Sequence, residues 1–251
     1  MLPSQQSELA RRTAAAVIPA RGGSKGIPRK NLALCAGKPL LVRAIATCQQ
    51  SRLLRGVWVS TEDDEIAAVA RAWGAGVIHR PAELATDEAS SDDVLLHALD
   101  FLPDDLTTLV SVQCTAPLLT AAELDLVIER RESQRADVVA AIAPAHEWQV
   151  AIIGDRLQGL GYVLCGEKSK RRQILPPRYR LAGSVVAIEI ESFRYRGYTF
   201  SADTIPFFVA ETIDIDTPND LALADAILRQ RESNSPQATE RASPSAIQYP
   251  L

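Results

Sequence analysis

Apolar residues recur along this chain in two alternating rhythms. Short unbroken runs at Ala14–Pro19, Val57–Ser60, Gly76–His79, Thr108–Gln113 and Val138–Ala143 have the length and composition of strands covered on both faces. Stretches with helical spacing lie between them. Leu40–Gln50 follows Pro39, Asp63–Trp73 opens with an acidic first turn that suits the helix dipole, and Ser91–Phe101 begins at the cap cluster Ser90-Ser91-Asp92-Asp93. Ala121–Glu132 is similar. Strand and helix in alternation make βαβ units, so the expected fold class is α/β, a mostly parallel sheet with helices on both faces. Such sheets collect ligands at the carboxyl ends of their strands.

The rhythm breaks after about residue 144. Glu147 to Tyr179 is richer in Gly, Pro, Lys and Arg and does not continue the alternation, which predicts an inserted arm or hairpin over about 147–180. Gly183–Glu189 and Phe207–Asp214 read as returning strands. Thr217 followed by Pro218 then caps a last helix running to about Arg231. The chain thus divides into an N-terminal extension (1–13), one domain (14–231) and a tail (232–251). The tail's Ser, Pro, Gln, Ala and Glu cannot bury enough apolar area to offset the entropy of ordering it, so it is expected to be disordered.

Composition narrows the function classes. The 251 residues are 47% hydrophobic and 23% charged with a net charge of −4, and no global basic field exists to hold nucleic acid. The pairs Arg130-Arg131 and Arg171-Arg172 are local. Cys35, Cys48, Cys114 and Cys165 share no CxxC spacing and are read as reduced, buried thiols. No apolar run reaches the ~20 residues of a membrane span, and Met1–Thr13 is too polar for a signal peptide. The expectation is a cytoplasmic protein with no membrane partner.

The chemistry concentrates after the first strand. Arg21-Gly22-Gly23-Ser24-Lys25-Gly26 combines three glycines, a hydroxyl and two cations. Glycines let backbone N–H groups turn toward one anion, while Arg21 and Lys25 neutralise charge that grows as a phosphoryl group is attacked. The loop therefore suits a polyphosphate. It is not a Walker A loop, since the nearest match, Gly37-Lys38, runs into Pro39, and its glycine spacing does not fit G-x-G-x-x-G. Further on, Asp214 and Asp216 stand two apart, so in extended geometry both would project from one face and offer the hard oxygens that Mg²⁺ favours. A cap Asp beside a solvated Asp is the alternative reading of the same spacing.

The stretch Ala16–Asn31 resembles the signature of the acidic-sugar cytidylyltransferases, especially the N-acylneuraminate (CMP-sialic acid) synthetases. The resemblance implies a Rossmann-like nucleotidyltransferase fold, CTP as donor, Mg²⁺ as cofactor, an acidic sugar as acceptor, release of pyrophosphate, and a homodimer in which the arm crosses to the second subunit. It also implies residue roles. Arg21, Gly22, Ser24 and Lys25 would hold the triphosphate, with Lys30 and Asn31 near the phosphates and cytidine. Arg80 and the Ala89 backbone, within Arg80–Ser91, would meet the cytosine, while Ser91 faces the sugar. Gln113, Arg172 and Arg180 would contact the acceptor, Asp214 and Asp216 the metal, and Arg21, Lys25 and Asp214 would carry catalysis.

Three segments depart from the family pattern. The segment Ser111–Leu119 keeps Gln113, Thr115 and Pro117, but Cys114, Ala116 and Leu119 differ. Ala182 stands where sialate synthetases usually have Asn, and His146–Val150 offers no lysine where they have one. Pseudaminate, legionaminate or 3-deoxy-manno-octulosonate therefore stay open as acceptors. A nucleotide-binding protein without turnover is the rival from another class. No general base is evident: His146 is a weak candidate, since a lone histidine is more often structural and nothing in the sequence fixes its distance from the sugar.

Overall fold

The computed structural model describes residues 12–145, 150–153, 156–159, 179–209 and 212–234. In chain order the elements are β1 (Ala14–Pro19), the hairpin β2 (Leu34–Cys35) and β3 (Lys38–Pro39), α1 (Leu40–Gln49), β4 (Leu54–Thr61), α2 (Asp64–Ala72), β5 (Gly76–His79), α3 (Ser91–Leu99), β6 (Thr108–Val112), α4 (Ala121–Gln134) and β7 (Val138–Pro144). There follow an antiparallel pair, β8 (Val150–Ile153) and β9 (Arg156–Gly159), then β10 (Tyr179–Glu189), α5 (Ile190–Arg196), β11 (Ile205–Phe208) and α6 (Pro218–Ser233).

Seven strands form one sheet in the order β11-β7-β10-β6-β1-β4-β5. β1 is central and buried along nearly its whole length, which accounts for its unbroken apolar sequence. It lies parallel to β4 on one side and β6 on the other, while β10 runs antiparallel to both β6 and β7. The two faces of β1 feed two cores. Ala14, Ala16 and Ile18 pack with α1, α2, α4 and α6 through Leu41, Ile66, Leu124 and Leu228. Ala15 and Val17 pack with α3 and α5 through Leu95, Leu99 and Phe193. Helices therefore cover both faces.

Local chemistry sets the helix ends. Asp63 caps α2 by accepting from the Ile66 N–H, and Thr120 with Glu123 and Thr217 with Asp220 form reciprocal capping boxes on α4 and α6. Pro218 occupies the first turn of α6, where its missing N–H costs nothing.

Two expectations need correcting. The strand expected over Phe207–Asp214 is only β11; Val209 makes a last bond to the Ile142 carbonyl, and residues 212–216 form no strand. That segment leaves the sheet edge and is held by the Thr212 hydroxyl on the Ala182 carbonyl and the Ile215 N–H on the Thr115 carbonyl. The helix α5 was not anticipated, because seven residues with one buried side chain, Phe193, carry too little periodicity. Among the described residues no helix is long and apolar enough to cross a membrane.

Candidate active site

The parallel register of β1 with β4 and β6 brings the loops after these strands together at one edge of the sheet. Ala20 donates to the Ser60 carbonyl at 2.9 Å, and the Gly-rich loop turns from there. Its base is cross-braced. The Gly22 N–H donates to Glu62 Oε1 at 2.7 Å, and the Glu62 carboxylate also receives Arg80 Nε at 3.1 Å. Asn31, buried, donates its side-chain amide to the Arg21 carbonyl at 2.9 Å. Arg29 closes the loop with a left-handed backbone and a two-pronged ion pair to Asp63, with Glu65 as a further partner. The Arg29 bond holds the Asp63 carboxyl down to about 2. Burial lowers the Arg80 pKa, and the Glu62 charge opposes that shift.

Above this base lies a cleft of about 420 Å³. Arg21, Ser24, Lys25, Lys30, Asn31, Arg80, Ala89, Ser91, Gln113 and Asp216 all line it, although they come from segments far apart in sequence. Asp87 bridges two of its cations. One carboxylate oxygen of Asp87 meets Arg21 at 2.8 Å and the other meets Lys25 at 2.6 Å. Arg21 also donates to the Thr86 carbonyl at 3.1 Å, and the Thr86 hydroxyl accepts the Ala89 N–H at 3.2 Å.

A second cavity of about 410 Å³ adjoins the first and shares Lys30, Ser91, Gln113 and Asp216 with it. Its own walls include Asp92, Thr115, Gly183, Ser184, Thr199, Phe200 and Asp214. Lys30 stands between the two, donating to the Ile215 carbonyl at 2.8 Å and to Asp216 Oδ1 at 3.0 Å. Burial raises the pKa of Asp214, a Thr115 hydrogen bond opposes this, and the charge of Asp216 raises it again. Gly183 backs Asp214 closely: its φ is +66°, and a Cβ there would stand 2.6 Å from Asp214 Oδ2. Only glycine meets both conditions without strain.

The carboxylate pair suits a hard cation. Of the three acidic residues lining the second cavity, Asp92 is committed to Thr199, which leaves Asp214 and Asp216, and among the described residues no group of three or more His, Cys, Asp or Glu could hold a metal ion. That donor set fits Mg²⁺, which keeps several waters and shares its shell with substrate phosphate.

Not every expected residue comes to the site. The Gly22 N–H is taken by Glu62 rather than left free for an anion, because the end of β4 lies directly beneath the loop. Arg180 lines neither cavity; its guanidinium turns to the Leu181 carbonyl at 3.3 Å, while Leu181 and Gly183 of the same strand face the second cavity. Its charge still reaches Asp214 and opposes the rise in that group's pKa. Arg172, His146 and Cys165 lie outside the described residues. Cys35, Cys48 and Cys114 are buried free thiols, and burial pushes Cys114 up to about 12.

Sequence reasoning missed Glu62 and Asp87. Glu62 stands just before the helix expected from Asp63, and Asp87 lies within Arg80–Ser91, where other residues carry the expected roles. The parallel neighbour relation of β1 and β4 is the signal that points to Glu62, since it makes the residue after Thr61 part of the same edge.

This combination of a Rossmann-like sheet, a braced Gly-rich loop and a cation-lined cleft defines a nucleotidyltransferase architecture. The cytidylyltransferase family profile matches residues 15–226, and the chain belongs to that family. An N-acylneuraminate cytidylyltransferase of Streptococcus agalactiae serotype III is 30% identical over 212 residues, covering 81% of this chain and 50% of the relative. N-acylneuraminate cytidylyltransferase A of Danio rerio is 37% identical over 134 residues, covering 53% of this chain and 31% of the relative. The chain thus spans half or less of the length of these relatives. In three dimensions it is similar to a CMP:2-keto-3-deoxy-manno-octonic acid synthetase complexed with CTP, with a TM-score of 0.67 at 19% identity, covering 87% of this chain and 99% of the other. That likeness establishes the shared fold.

Proposed function

We propose that this chain transfers CMP from CTP to the anomeric hydroxyl of a 2-keto-3-deoxy sugar acid, with N-acylneuraminate as the leading acceptor, and releases pyrophosphate. The observation that carries the reading is the pair of adjoining cavities that share Lys30, Ser91, Gln113 and Asp216, one lined by cations and the other holding Asp214. A donor in the first and an acceptor in the second would meet at that common wall.

The reaction needs no covalent enzyme intermediate. The hydroxyl oxygen forms a bond to the α-phosphorus in line with the leaving group, the bond to pyrophosphate breaks, and the hydroxyl proton is released. Arg21 and Lys25 hold the leaving pyrophosphate, while Asn31 and Glu62 keep their loop in place. Lys30 fixes the 214–216 segment against the donor cleft. Asp214 and Asp216 would hold Mg²⁺, which when bound neutralises phosphate charge. The enzyme works in the cytoplasm as a homodimer whose arm completes the neighbouring site.

A different sugar acid stays open as the acceptor, since Ala182 stands where the sialate synthetases usually have Asn; the residue is buried in the core between Leu181 and Gly183, which line the second cavity. Pyrophosphate release measured with each of four nucleoside triphosphates against a panel of sugar acids, with and without Mg²⁺, tests the proposal. Turnover confined to CTP, Mg²⁺ and one acid supports it; turnover independent of CTP or of metal sinks it. A monomeric mass by light scattering would overturn the dimer.

A further inference from the structure

We propose that Asp87 is a built-in stand-in for phosphate, a carboxylate that holds Arg21 and Lys25 together and is displaced when the polyphosphate of a nucleotide enters. The inference rests on the cleft being the triphosphate site. Both Asp87 oxygens are committed, one to each cation, at 2.8 and 2.6 Å. Arg21, Lys25 and Asp87 all line the same cleft, with Lys30 and Arg80 adding two further cations. Without a counter-anion the Arg21 and Lys25 charges would repel each other and open the loop; with Asp87 they are gathered around a single negative centre. A polyphosphate brings several charges to that place and repels the carboxylate already there.

The pairing is strong enough to organise the loop and weak enough to exchange. Asp87 is 40% exposed and Lys25 is 82% exposed, a setting in which ion pairs are screened and break readily. The Lys25 and Arg21 bonds hold the Asp87 carboxyl below the usual range, so it stays ionised and competing at neutral pH. Displacement also has a structural reach. Arg21 also holds the Thr86 carbonyl and Thr86 holds the Ala89 N–H, so Asp87 is one of two ties between these cations and the segment that ends at Ser91, on the wall shared with the second cavity. Displacing Asp87 leaves that segment on the Arg21–Thr86 bond alone and so loosens it.

A tether that merely ordered the loop would aid binding, whereas a phosphate stand-in opposes it. Asp87→Asn and Asp87→Ser, with thermal midpoints recorded to exclude unfolding, are titrated with CTP, inorganic tripolyphosphate and cytidine. Removing one competing charge in an exposed site should tighten CTP and tripolyphosphate about three- to tenfold. Cytidine binding should be unchanged, and in turnover the KM for CTP should fall while kcat does not rise. Equal or weaker polyphosphate binding in both folded variants, with normal binding in the wild type, overturns the stand-in alone. If the wild type binds neither CTP nor tripolyphosphate, the reading of the cleft falls and the stand-in with it.

Discussion

Replacing Gly183 by alanine asks whether Asp214 must sit where it does. At φ +66° an alanine carries the left-handed penalty of about 1–2 kcal/mol. Its Cβ would also stand 2.6 Å from Asp214 Oδ2 and 3.1 Å from Asp214 Cγ, where ordinary contact begins at 3.4 Å. The carboxylate would have to retreat by about 0.8 Å, and overpacking of this kind adds ~1–3 kcal/mol. The molecule supplies its own control. Gly197, at the end of α5, has φ +75° and nothing within 4 Å of an added Cβ, so Gly197→Ala bears the backbone penalty alone. Urea unfolding and pyrophosphate release at saturating CTP and Mg²⁺ separate the two contributions. Gly197→Ala should lose about 1–2 kcal/mol and keep its turnover. Gly183→Ala should lose about 2–5 kcal/mol and, since a shift near 1 Å can cost ~10²-fold, turn over about a hundredfold more slowly with CTP affinity little changed. Wild-type turnover in Gly183→Ala would refute the requirement for Asp214 at that position, and equal stability losses in the two variants would refute the contact itself.

Other expectations follow from the braces. Lys30→Met removes two hydrogen bonds to the 214–216 segment and should cost about 1–3 kcal/mol in urea unfolding, with a fall in kcat; full activity would show that the segment holds its place without the amine. Asp63 has a folded pKa of about 2, below its unfolded value, so its contribution is fully present above ~pH 4 and disappears as the pH falls through 2. With Arg29 partly exposed, screening trims that contribution to about 1–2 kcal/mol. Asp63→Asn, which retains a capping side chain, should therefore trail the wild type by that amount at pH 7 and converge with it only below ~pH 2; a gap that does not change with pH would contradict this origin. Thr217→Ala should lose about 1 kcal/mol through its capping box, read as a lowered thermal midpoint with wild-type CTP binding.

Strands wholly enclosed by helices announced themselves in the sequence, because burial on both faces demands unbroken apolar runs. β1 occurs at the expected residues and β4, β6 and β7 differ from expectation by only a few; β5, half-buried at the sheet edge, also occurs where expected. Sheet order, by contrast, depends on pairing between residues far apart, and the antiparallel placement of β10 between β6 and β7 has no local signature. Tyr179 and Leu181 at its start are exposed, so the apolar pattern begins too late and the expected strand began at Gly183. The same division runs through the site. Residues clustered in one motif, such as Arg21 to Asn31, could be read together. Glu62 and Asp87 serve as partners to that motif from other loops, and acidic residues at helix starts and in loops look alike whether solvated or engaged.

The common wall between the two cavities has a consequence for how such a protein can change over time. Residues that face only the first cavity all come from positions 19–94, and those that face only the second from positions 92–214. If the two cavities take the two reactants as proposed, their recognition is written almost end to end along the chain, with Lys30, Ser91, Gln113 and Asp216 as the exceptions. On that reading, drift confined to the later stretch and sparing Gln113, Asp214 and Asp216 would exchange one acceptor for another while the cation-lined cleft stays untouched.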